Sequence, residues 1–336
     1  MDRQLLSACG KGNVEEVRKL LNQPNINPNC EDRFEYRRTP FYIACKNGHL
    51  DVVKLLLDDN RVEINKKDDE YERTPFWVAC EKGHIEIVKL LLSVERVEVN
   101  KEDKYSWTPF HIACGSGHLE VVKLLLNDGR IDRNKDDENG WTPFYIACEN
   151  GRIGIVKLLL NNENVEVNKT DKAGRTSFFV ACLNGHIEIV KILLNEQRVD
   201  INKADKYGQT TFYVACNSGH IEVVKILLND ERVDINKPNN DGETPFFDAC
   251  QYGHVEVVKL LLISQREVKL TEKNQGKTAI NIAKERETEE KGEWESEEDF
   301  HKKKRNYANI VELLESLKKN PNETRTKLRI QLGLPG

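Results

Sequence analysis

Cysteine and histidine recur at fixed positions in this chain, and both residue types bind metals and take part in redox or acid–base chemistry. Their period is close to 34 residues, so each occupies an equivalent place in a repeated unit. The cysteines that follow an alanine are Cys9, Cys45, Cys80, Cys114, Cys148, Cys182, Cys216 and Cys250. The histidines that follow a glycine are His49, His84, His118, His186, His220 and His254.

This period argues against a shared site. Equivalent residues on neighbouring packed helices lie about 8–10 Å apart, whereas a disulfide needs Cα atoms within about 7 Å and zinc needs sulfurs about 2.3 Å from one ion. We interpret the cysteines as small packing residues and the histidines as partners of turn backbone groups. Cys30 lies outside the series and is expected to be the exposed thiol.

Other catalytic patterns are missing from the sequence. It contains no Ser-His-Asp set, paired carboxylates, P-loop or HExxH motif. We therefore predict that the protein is not an enzyme and that it has no catalytic residue, no cofactor and no metal site.

The elements that position these residues can be read from one stretch, Thr74 to Lys101, with the sequence TPFWVACEKGHIEIVKLLLSVERVEVNK. Thr74 and Pro75 are typical of a helix start, because Thr caps unpaired N–H groups and Pro lacks one. Gly83 favours a helix stop with positive φ, and the apolar residues from Ile85 to Leu92 recur at the spacing of a second helix. Helices of about two turns are too short to be stable alone, so this unit needs neighbours of the same shape.

The stretch is one copy of an internal repeat. Other copies read TPFYIACKNGHLDVVKLLL, TPFHIACGSGHLEVVKLLL and TPFFDACQYGHVEVVKLLL. The repeat resembles the ankyrin repeat, with the pattern D-x-x-G-x-T-P-L-H-x-A-A-x-x-G-H-x-E-I-V-x-L-L-L, and the resemblance runs from residue 1 to about residue 318. The threonines that start the copies are spaced by 35 residues and then by 34 six times: Thr39, Thr74, Thr108, Thr142, Thr176, Thr210, Thr244 and Thr278.

The resemblance implies an all-α fold, an ankyrin-repeat solenoid of about nine stacked helix-turn-helix units with hairpin tips and a concave face. We expect an N-terminal capping repeat with a long first tip at 1–38 and seven full repeats at 39–277. A C-terminal capping repeat at 278–318 carries a charged insertion at 285–307, and a tail follows at 319–336. The insertion is a solvated loop or helical extension, or alternatively its acidic and basic runs pair with one another. The tail either packs back on the cap or docks elsewhere.

The composition of the 336-residue chain, 38% hydrophobic and 32% charged, is that of a water-soluble protein. No run approaches the roughly 20 apolar residues of a membrane span, and the start lacks the apolar segment of a secretory signal. A net charge of −5 argues against a nucleic-acid partner. Nine cysteines without a signal peptide indicate reduced thiols. We predict a cytoplasmic monomer, with the nucleus as the alternative location.

Several positions depart from the ankyrin pattern. The tips of the second to fourth copies have Arg37, Glu72 and Ser106 in place of glycine, so these tips are expected to form a different turn. In the fifth copy Arg152 and Gly154 replace His and Glu, which predicts a soft point. The asparagines at the site where ankyrin proteins can be hydroxylated, for which bonding across the turn is a sufficient role, are Asn65, Asn100, Asn202 and Asn236.

Positions that vary among the copies are the best candidates for partner contact, because a packing residue is constrained in the same way in every copy. They comprise the tips, the pair of residues before each Gly-His turn, and an aromatic column at the fourth residue of the TPLH segment. The column can equally be internal packing. The candidate protein-binding residues are Tyr71, Trp77, Glu81, Lys82, Tyr105, Trp107, His111, Trp141, Tyr145, Arg175, Leu183, Tyr207, Tyr213 and Tyr252.

These observations predict a non-catalytic scaffold or adaptor that binds a partner protein through the hairpin tips and the concave inner-helix face. In the alternative, the repeats are a spacer, and the charged insertion at 285–307 or the C-terminal tail carries a regulatory or targeting activity. The sequence does not identify the partner.

Overall fold

A computed structural model describes residues 1–32, 36–270, 274–292 and 294–334. They form two compact units, Met1–Lys169 and Thr170–Gly336. Within the described residues the secondary structure is helical and no β-strand is formed, which confirms the expected all-α repeat fold. Parts of four expected segments lie outside the described residues: 33–35 of the long first tip, 271–273 of the seven full repeats, 293 of the charged insertion and 335–336 of the tail.

The first unit contains short helices in antiparallel pairs. The first helix of each pair packs against the first helix of the next pair, and the second helices do the same, so every copy buries its apolar face against its neighbours. The helices are α1 Asp2–Lys11, α2 Val14–Leu21, α3 Pro40–Asn47, α4 Leu50–Leu57, α5 Pro75–Lys82, α6 Ile85–Leu92, α7 Pro109–Ser116, α8 Leu119–Asn127, α9 Pro143–Glu149 and α10 Ile153–Leu160.

The second unit repeats this arrangement and ends in longer helices. Among its first helices, α11, α13, α15 and α17 pack in series, and α18 and α19 close the unit against α16 and α17. The helices are α11 Ser177–Leu183, α12 Ile187–Leu194, α13 Thr211–Asn217, α14 Ile221–Leu228, α15 Pro245–Gln251, α16 Val255–Ile263, α17 Ala279–Thr288, α18 Glu297–Lys319 and α19 Pro321–Gln331.

The helix boundaries follow the signals in the sequence. In α5, the Thr74 Oγ1 accepts the N–H of Trp77 at 3.1 Å, which caps the helix start. Gly83 ends α5 in the left-handed conformation with a φ of 71°. A Cβ atom on Gly83 would lie 2.6 Å from Nδ1 of His118 in the next copy, so glycine is required there for space as well as for backbone conformation.

The histidine after each of these glycines joins two copies. Nε2 of His84 lies 2.9 Å from the carbonyl oxygen of Lys46, and Nε2 of His118 lies 2.8 Å from that of Glu81. Arg152, which replaces histidine in the fifth copy, donates from Nε to the carbonyl of Gly115 at 2.8 Å. Since that carbonyl is equivalent to the one His118 contacts, the arginine keeps the joint between copies.

The expected soft point at Gly154 is not a break in the helix, because α10 is continuous from Ile153 to Leu160. A Cβ at Gly154 would lie 3.7 Å from a methyl group of Leu119, an ordinary contact distance.

The core of each unit lies between the two layers of helices. Phe76, Cys80 and Val88 are at most 1% exposed, and the equivalent residues of other copies are buried in the same way. All nine cysteines are buried free thiols. The expectation that Cys30 is exposed is therefore wrong: Cys30 is 6% exposed, and its thiol lies 3.5 Å from the carbonyl oxygen of Asp2.

Three tip residues that stand in place of glycine adopt a left-handed backbone conformation. Arg37, Glu72 and Ser106 have φ values of 54°, 60° and 63°, in the left-handed region that Gly140 occupies at 84°. The fourth copy forms the same turn as the fifth, because the N–H groups of Ser106 and Gly140 donate to the carbonyls of Asp103 and Asp137, both at 3.0 Å, so the expectation of a different turn is wrong for Ser106, whose backbone conformation is costly for it. The third copy does form a different turn, since its closing bond joins Asp68 to Arg73, one residue further along the chain than the bond from Asp103 to Trp107. The tip that contains Arg37 includes residues outside the described part of the chain.

The charged insertion extends two helices. The first of them, α17, continues to Thr288. The second, α18, is capped by Ser296, begins at Glu297 and runs without interruption through the basic stretch into the second helix of the last copy. Acidic and basic residues pair here, as Lys291 with Glu297 at 2.7 Å and Lys303 with Glu295 at 3.7 Å.

The tail forms α19, which packs against α16 and α18. Leu328 of α19 is 2% exposed, whereas Ile330 is 64% exposed. The tail therefore packs back on the C-terminal cap through one face. None of the helices in the described ranges has the length and apolar character needed to cross a membrane.

Candidate functional site

A buried aspartate closes the tips of the third, fourth and fifth copies, at Asp68, Asp103 and Asp137. In the fourth copy, Oδ1 of Asp103 accepts the backbone N–H groups of Tyr105 and Trp107, both at 2.9 Å. The N–H of Asp103 donates in return to the carbonyl of Trp107 at 3.0 Å. Burial raises the pKa of Asp103, and these backbone N–H groups act in the opposite direction by stabilising the carboxylate. The side chains at the apex are consequently carried on a fixed loop.

Neighbouring tips are also bonded to each other. The N–H of Asp69 donates to the carbonyl of Tyr36 at 3.0 Å, and the N–H of Lys104 donates to the carbonyl of Tyr71 at 2.9 Å. These bonds fix the positions of the apex residues of consecutive copies relative to one another.

Tyrosine occupies three consecutive apices, at the position three residues before the helix-starting threonine. Tyr36 is 51% exposed, Tyr105 is 44% exposed and Tyr71 is half-buried. We call Tyr36, Tyr71 and Tyr105 the tyrosine row. The ring centroids of Tyr71 and Tyr105 are 6.3 Å apart at an interplanar angle of 39°, a favourable distance for an aromatic pair.

Cationic side chains lie over the rings of this row. Nζ of Lys104 is 4.2 Å from the ring centroid of Tyr71 and 5.1 Å from that of Tyr105. The guanidinium carbon of Arg73 is 4.4 Å from the centroid of Tyr71 and 4.1 Å from that of Trp77. All of these distances are within cation–π range. The row therefore presents aromatic surface and positive charge together.

The side chains of Trp77 and Trp107 donate hydrogen bonds to the tip of the next copy. Trp77 is 1% exposed, and its indole N–H donates to the carbonyl of Trp107 at 3.0 Å. Trp107 is half-buried and donates its own indole N–H to Oδ2 of Asp137 at 2.9 Å. Trp77 therefore acts as a positioning residue, and only part of the Trp107 ring is accessible to a partner.

His111 and Tyr145 belong to the same internal column. His111 is fully buried, and burial lowers its pKa from 6.5 to about 4, so the imidazole is neutral at pH 7. Its Nε2 must carry the proton, because it lies 3.0 Å from a carbonyl oxygen, that of Trp141. Tyr145 is 1% exposed and stacks on the half-buried Trp141 ring at 5.5 Å. Burial favours a packing role for His111 and Tyr145 over direct partner contact.

The variable pair on α5 lies close to the tyrosine row. Glu81 is half-buried and forms ion pairs with Arg73 at 3.5 Å and with Lys82 at 3.2 Å, and Lys82 is exposed. Glu81 and Lys82 therefore connect the surface of α5 to the cation that stacks on Tyr71.

The candidate residues of the second unit do not form one cluster of this kind. Arg175 is bound to Asp171 of its own tip at 2.7 Å, Leu183 is half-buried on α11, and Tyr213 is 1% exposed. Tyr207 and Tyr252 are 65% and 54% exposed at a tip and at the end of α15.

Four residues with prominent positions in the structure were not predicted from the sequence. Tyr36 belongs to the tyrosine row, and the cations Arg73 and Lys104 lie over its rings. Tyr36 could have been found from its position three residues before Thr39, which matches that of Tyr71 and Tyr105. The fourth is Asp248, a buried carboxylate at a position where the other copies have Ile or Val. Comparing each register position among the copies would have identified it.

In the part of the chain that the structure describes, no three side chains of His, Cys, Asp or Glu come together in a group that could hold a metal ion. A family model for ankyrin repeats in three copies matches six overlapping segments of the chain. The matched residues are 5–103, 65–135, 92–171, 129–205, 163–239 and 231–290.

Proposed function

The chain belongs to the ankyrin repeat family, whose members typically are non-enzymatic modules of protein–protein interaction, and we propose that it binds a partner protein through the tips of its first unit. The contact surface is the tyrosine row, with Lys104, Glu81 and Lys82 beside it. In this proposal the protein acts as an adaptor or scaffold.

One observation carries this proposal: three consecutive, hydrogen-bonded tip apices present tyrosine rings to solvent. A hairpin apex needs residues that tolerate its backbone conformation, and a large aromatic ring adds nothing to that requirement. Tyrosine and tryptophan are enriched at the energetically dominant positions of protein interfaces. The tip-to-tip hydrogen bonds also reduce the entropy that would otherwise be lost when a partner orders the surface.

The buried candidates contribute indirectly. Trp77, His111, Tyr145 and Tyr213 are at most 1% exposed, so the proposed contact surface does not include them. Substitution of Trp77 is expected to change binding only through displacement of Arg73 and the tips.

Affinity capture followed by a binding titration with the purified captured partner tests the proposal. The double variant Tyr71→Ala/Tyr105→Ala should weaken binding at least tenfold, because each residue is placed as an interface anchor. Tyr207→Ala is the matched control, since Tyr207 occupies the equivalent apex in the second unit and is more exposed. Equal affinities of wild type and double variant, at unchanged helical content by circular dichroism, would contradict the assignment.

A second candidate surface is the charged insertion, which carries the exposed Trp294. This side chain is 94% exposed among acidic residues, so its apolar surface is available to a partner. Trp294→Ala removes it without disturbing the pairing of Lys291 with Glu297. Loss of binding in this variant, with binding retained in Tyr71→Ala/Tyr105→Ala, would transfer the activity to the insertion.

A further inference from the structure

Asp248 breaks the pattern of the first helices at a buried position. It is 2% exposed on α15, where a carboxylate loses most of its hydration. The residues at the same register in the other full copies are all aliphatic: Ile43, Val78, Ile112, Ile146, Val180 and Val214. Its presence therefore requires compensation from its neighbours.

The compensation comes from a hydrogen-bonded cluster of the second unit. Nδ2 of Asn217, at the end of α13, donates to Oδ2 of Asp248 at 2.7 Å. The hydroxyl of Tyr213 interacts with Asp248 and also with Glu243, whose Oε2 lies 3.4 Å away. Nδ2 of Asn239 lies 2.9 Å from both the Tyr213 oxygen and Oε2 of Glu243.

The number of protons in this cluster depends on pH. The Tyr213 hydroxyl has one proton to donate, yet two carboxylates, Asp248 and Glu243, compete for it when both are ionised. Protonation of Asp248 supplies an additional donor and removes one of two like charges. The neutral form of Asp248 therefore satisfies the buried contact between α13 and α15 better than the ionised form.

Each helix packed against α15 also carries titratable groups that can affect the protonation of Asp248. From α16, Nε2 of His254 lies 2.6 Å from the carbonyl oxygen of Asn217, and burial lowers the pKa of this histidine. The remaining titratable groups on the helices packed against α15 are Cys216 on α13, Glu256 and Lys259 on α16, and Lys284, Glu285, Arg286 and Glu287 on α17. Glu256 pairs with Lys259, Lys284 with Glu315, Glu285 with Lys277 and Arg286 with Glu289.

We propose that protonation of Asp248 tightens the contact between α13 and α15, which makes this joint of the second unit a pH-sensitive element in the weakly acidic range. The inference concerns a unit that the proposed binding surface does not use, and it goes beyond the binding function.

The direction of the effect follows from proton linkage. Burial raises the pKa of Asp248 from 3.8 to about 6, against the opposing hydrogen bonds of Asn217 and Tyr213. The folded state therefore binds more protons than the unfolded state between about pH 4 and pH 6. The added stability is fully present below pH 4 and is lost as the pH rises through 6.

The experiment compares full-length wild type with Asp248→Asn from pH 4.5 to 7.5. Hydrogen exchange of the α13 and α15 amides, with urea denaturation alongside, reports the opening equilibrium of the joint. The wild-type opening constant should rise about tenfold or more across this range relative to the variant, because only the wild type loses a proton at position 248. His254 is present in both proteins, so the comparison isolates the contribution of position 248.

Glu243→Gln separates the two carboxylates. It should retain the pH dependence with a lower midpoint, because the charge of Glu243 raises the pKa of Asp248. The proposal would be overturned if the opening constants of wild type and Asp248→Asn changed in parallel with pH. It would also be overturned if Glu243→Gln lost the pH dependence while Asp248→Asn kept it. If Asp248→Asn does not fold, Asp248→Ile provides the same comparison with the residue of three other copies.

Discussion

The guanidinium of Arg73 lies between the rings of Tyr71 and Trp77, which links a residue at the surface to one in the interior. Each cation–π contact contributes about 0.5–1 kcal/mol at a partly exposed site. The ion pairs of Arg73 with Glu81 at 3.5 Å and with Asp103 at 3.9 Å hold the guanidinium in place. A single arginine thus fixes the orientation of the ring that is proposed to meet the partner.

Backbone strain at the tips is the second effect at the scale of single residues. Ser106 has a φ of 63°, a conformation that L-residues adopt at a cost of roughly 1–2 kcal/mol relative to the right-handed region. Ser106→Gly should therefore raise the free energy of unfolding by about 0.5 kcal/mol, after the larger entropy of glycine in the unfolded chain is subtracted. Urea denaturation of both proteins measures the difference.

Gly140→Ala is the reverse control. Gly140 occupies the equivalent position in the next copy with a φ of 84°, so a side chain there should lower the free energy of unfolding by about 1 kcal/mol. A Ser106→Gly variant less stable than wild type would show that the serine side chain contributes more than its backbone strain costs.

At the scale of elements, arginine side chains connect the ends of successive second helices. Nη2 of Arg130 donates to the carbonyl of Leu92, the last residue of α6, at 2.7 Å and pairs with Asp128 at 2.7 Å. Arg61 makes the same contacts with Leu21 and Asp59. A cation at the C-terminal end of a helix satisfies an unpaired carbonyl and complements the helix dipole.

Arg130→Ala should lower the free energy of unfolding by about 1 kcal/mol, because the Leu92 carbonyl loses its donor and Asp128 its partner. Lys123→Ala is the matched control. Lys123 pairs with Glu120 within one exposed helix turn, and such a pair contributes only about 0.3–0.5 kcal/mol. Similar losses in the two variants, measured by thermal denaturation, would rule out a connecting role for Arg130.

Most helices, but not all of their boundaries, could be predicted from the sequence. Thr-Pro starts, glycine stops and helical periodicity predicted the paired helices, because these signals act within a few residues. The same signals did not locate the start of α18 at Glu297, since its acidic and basic residues are good helix formers that also suit an exposed loop. Exposure along the aromatic column was also not predictable, because burial of Trp77 or His111 depends on the next copy.

At the scale of the molecule, each unit is stabilised by contacts between neighbouring copies, so its last copy needs a cover. In the second unit that cover is α19, where Leu328 is buried on the side of α16 and α18. Leu328→Ala should lower the melting temperature of the full chain, with a loss of about 2–3 kcal/mol for a buried leucine.

The control for this prediction is Ile330→Ala, since Ile330 is 64% exposed and should change stability by less than about 0.5 kcal/mol. Equal effects of the two substitutions would contradict the covering role of α19. Loss of partner binding in Ile330→Ala, at unchanged stability, would instead support an activity of the tail.

The contact between Gly83 and His118 also affects whether a repeat can be duplicated or deleted without loss of packing between copies. One copy supplies the glycine and the next supplies the ring that fills its space, as Gly48 and His84 also do, so neighbouring copies carry complementary halves of such a joint. A duplication or deletion of 34 residues preserves this match wherever one copy has the glycine and the next has the histidine. Arg152 is an exception in the first unit, because it stands against Gly117 in place of histidine. We expect the copy that carries Arg152 to tolerate exchange with its neighbours least.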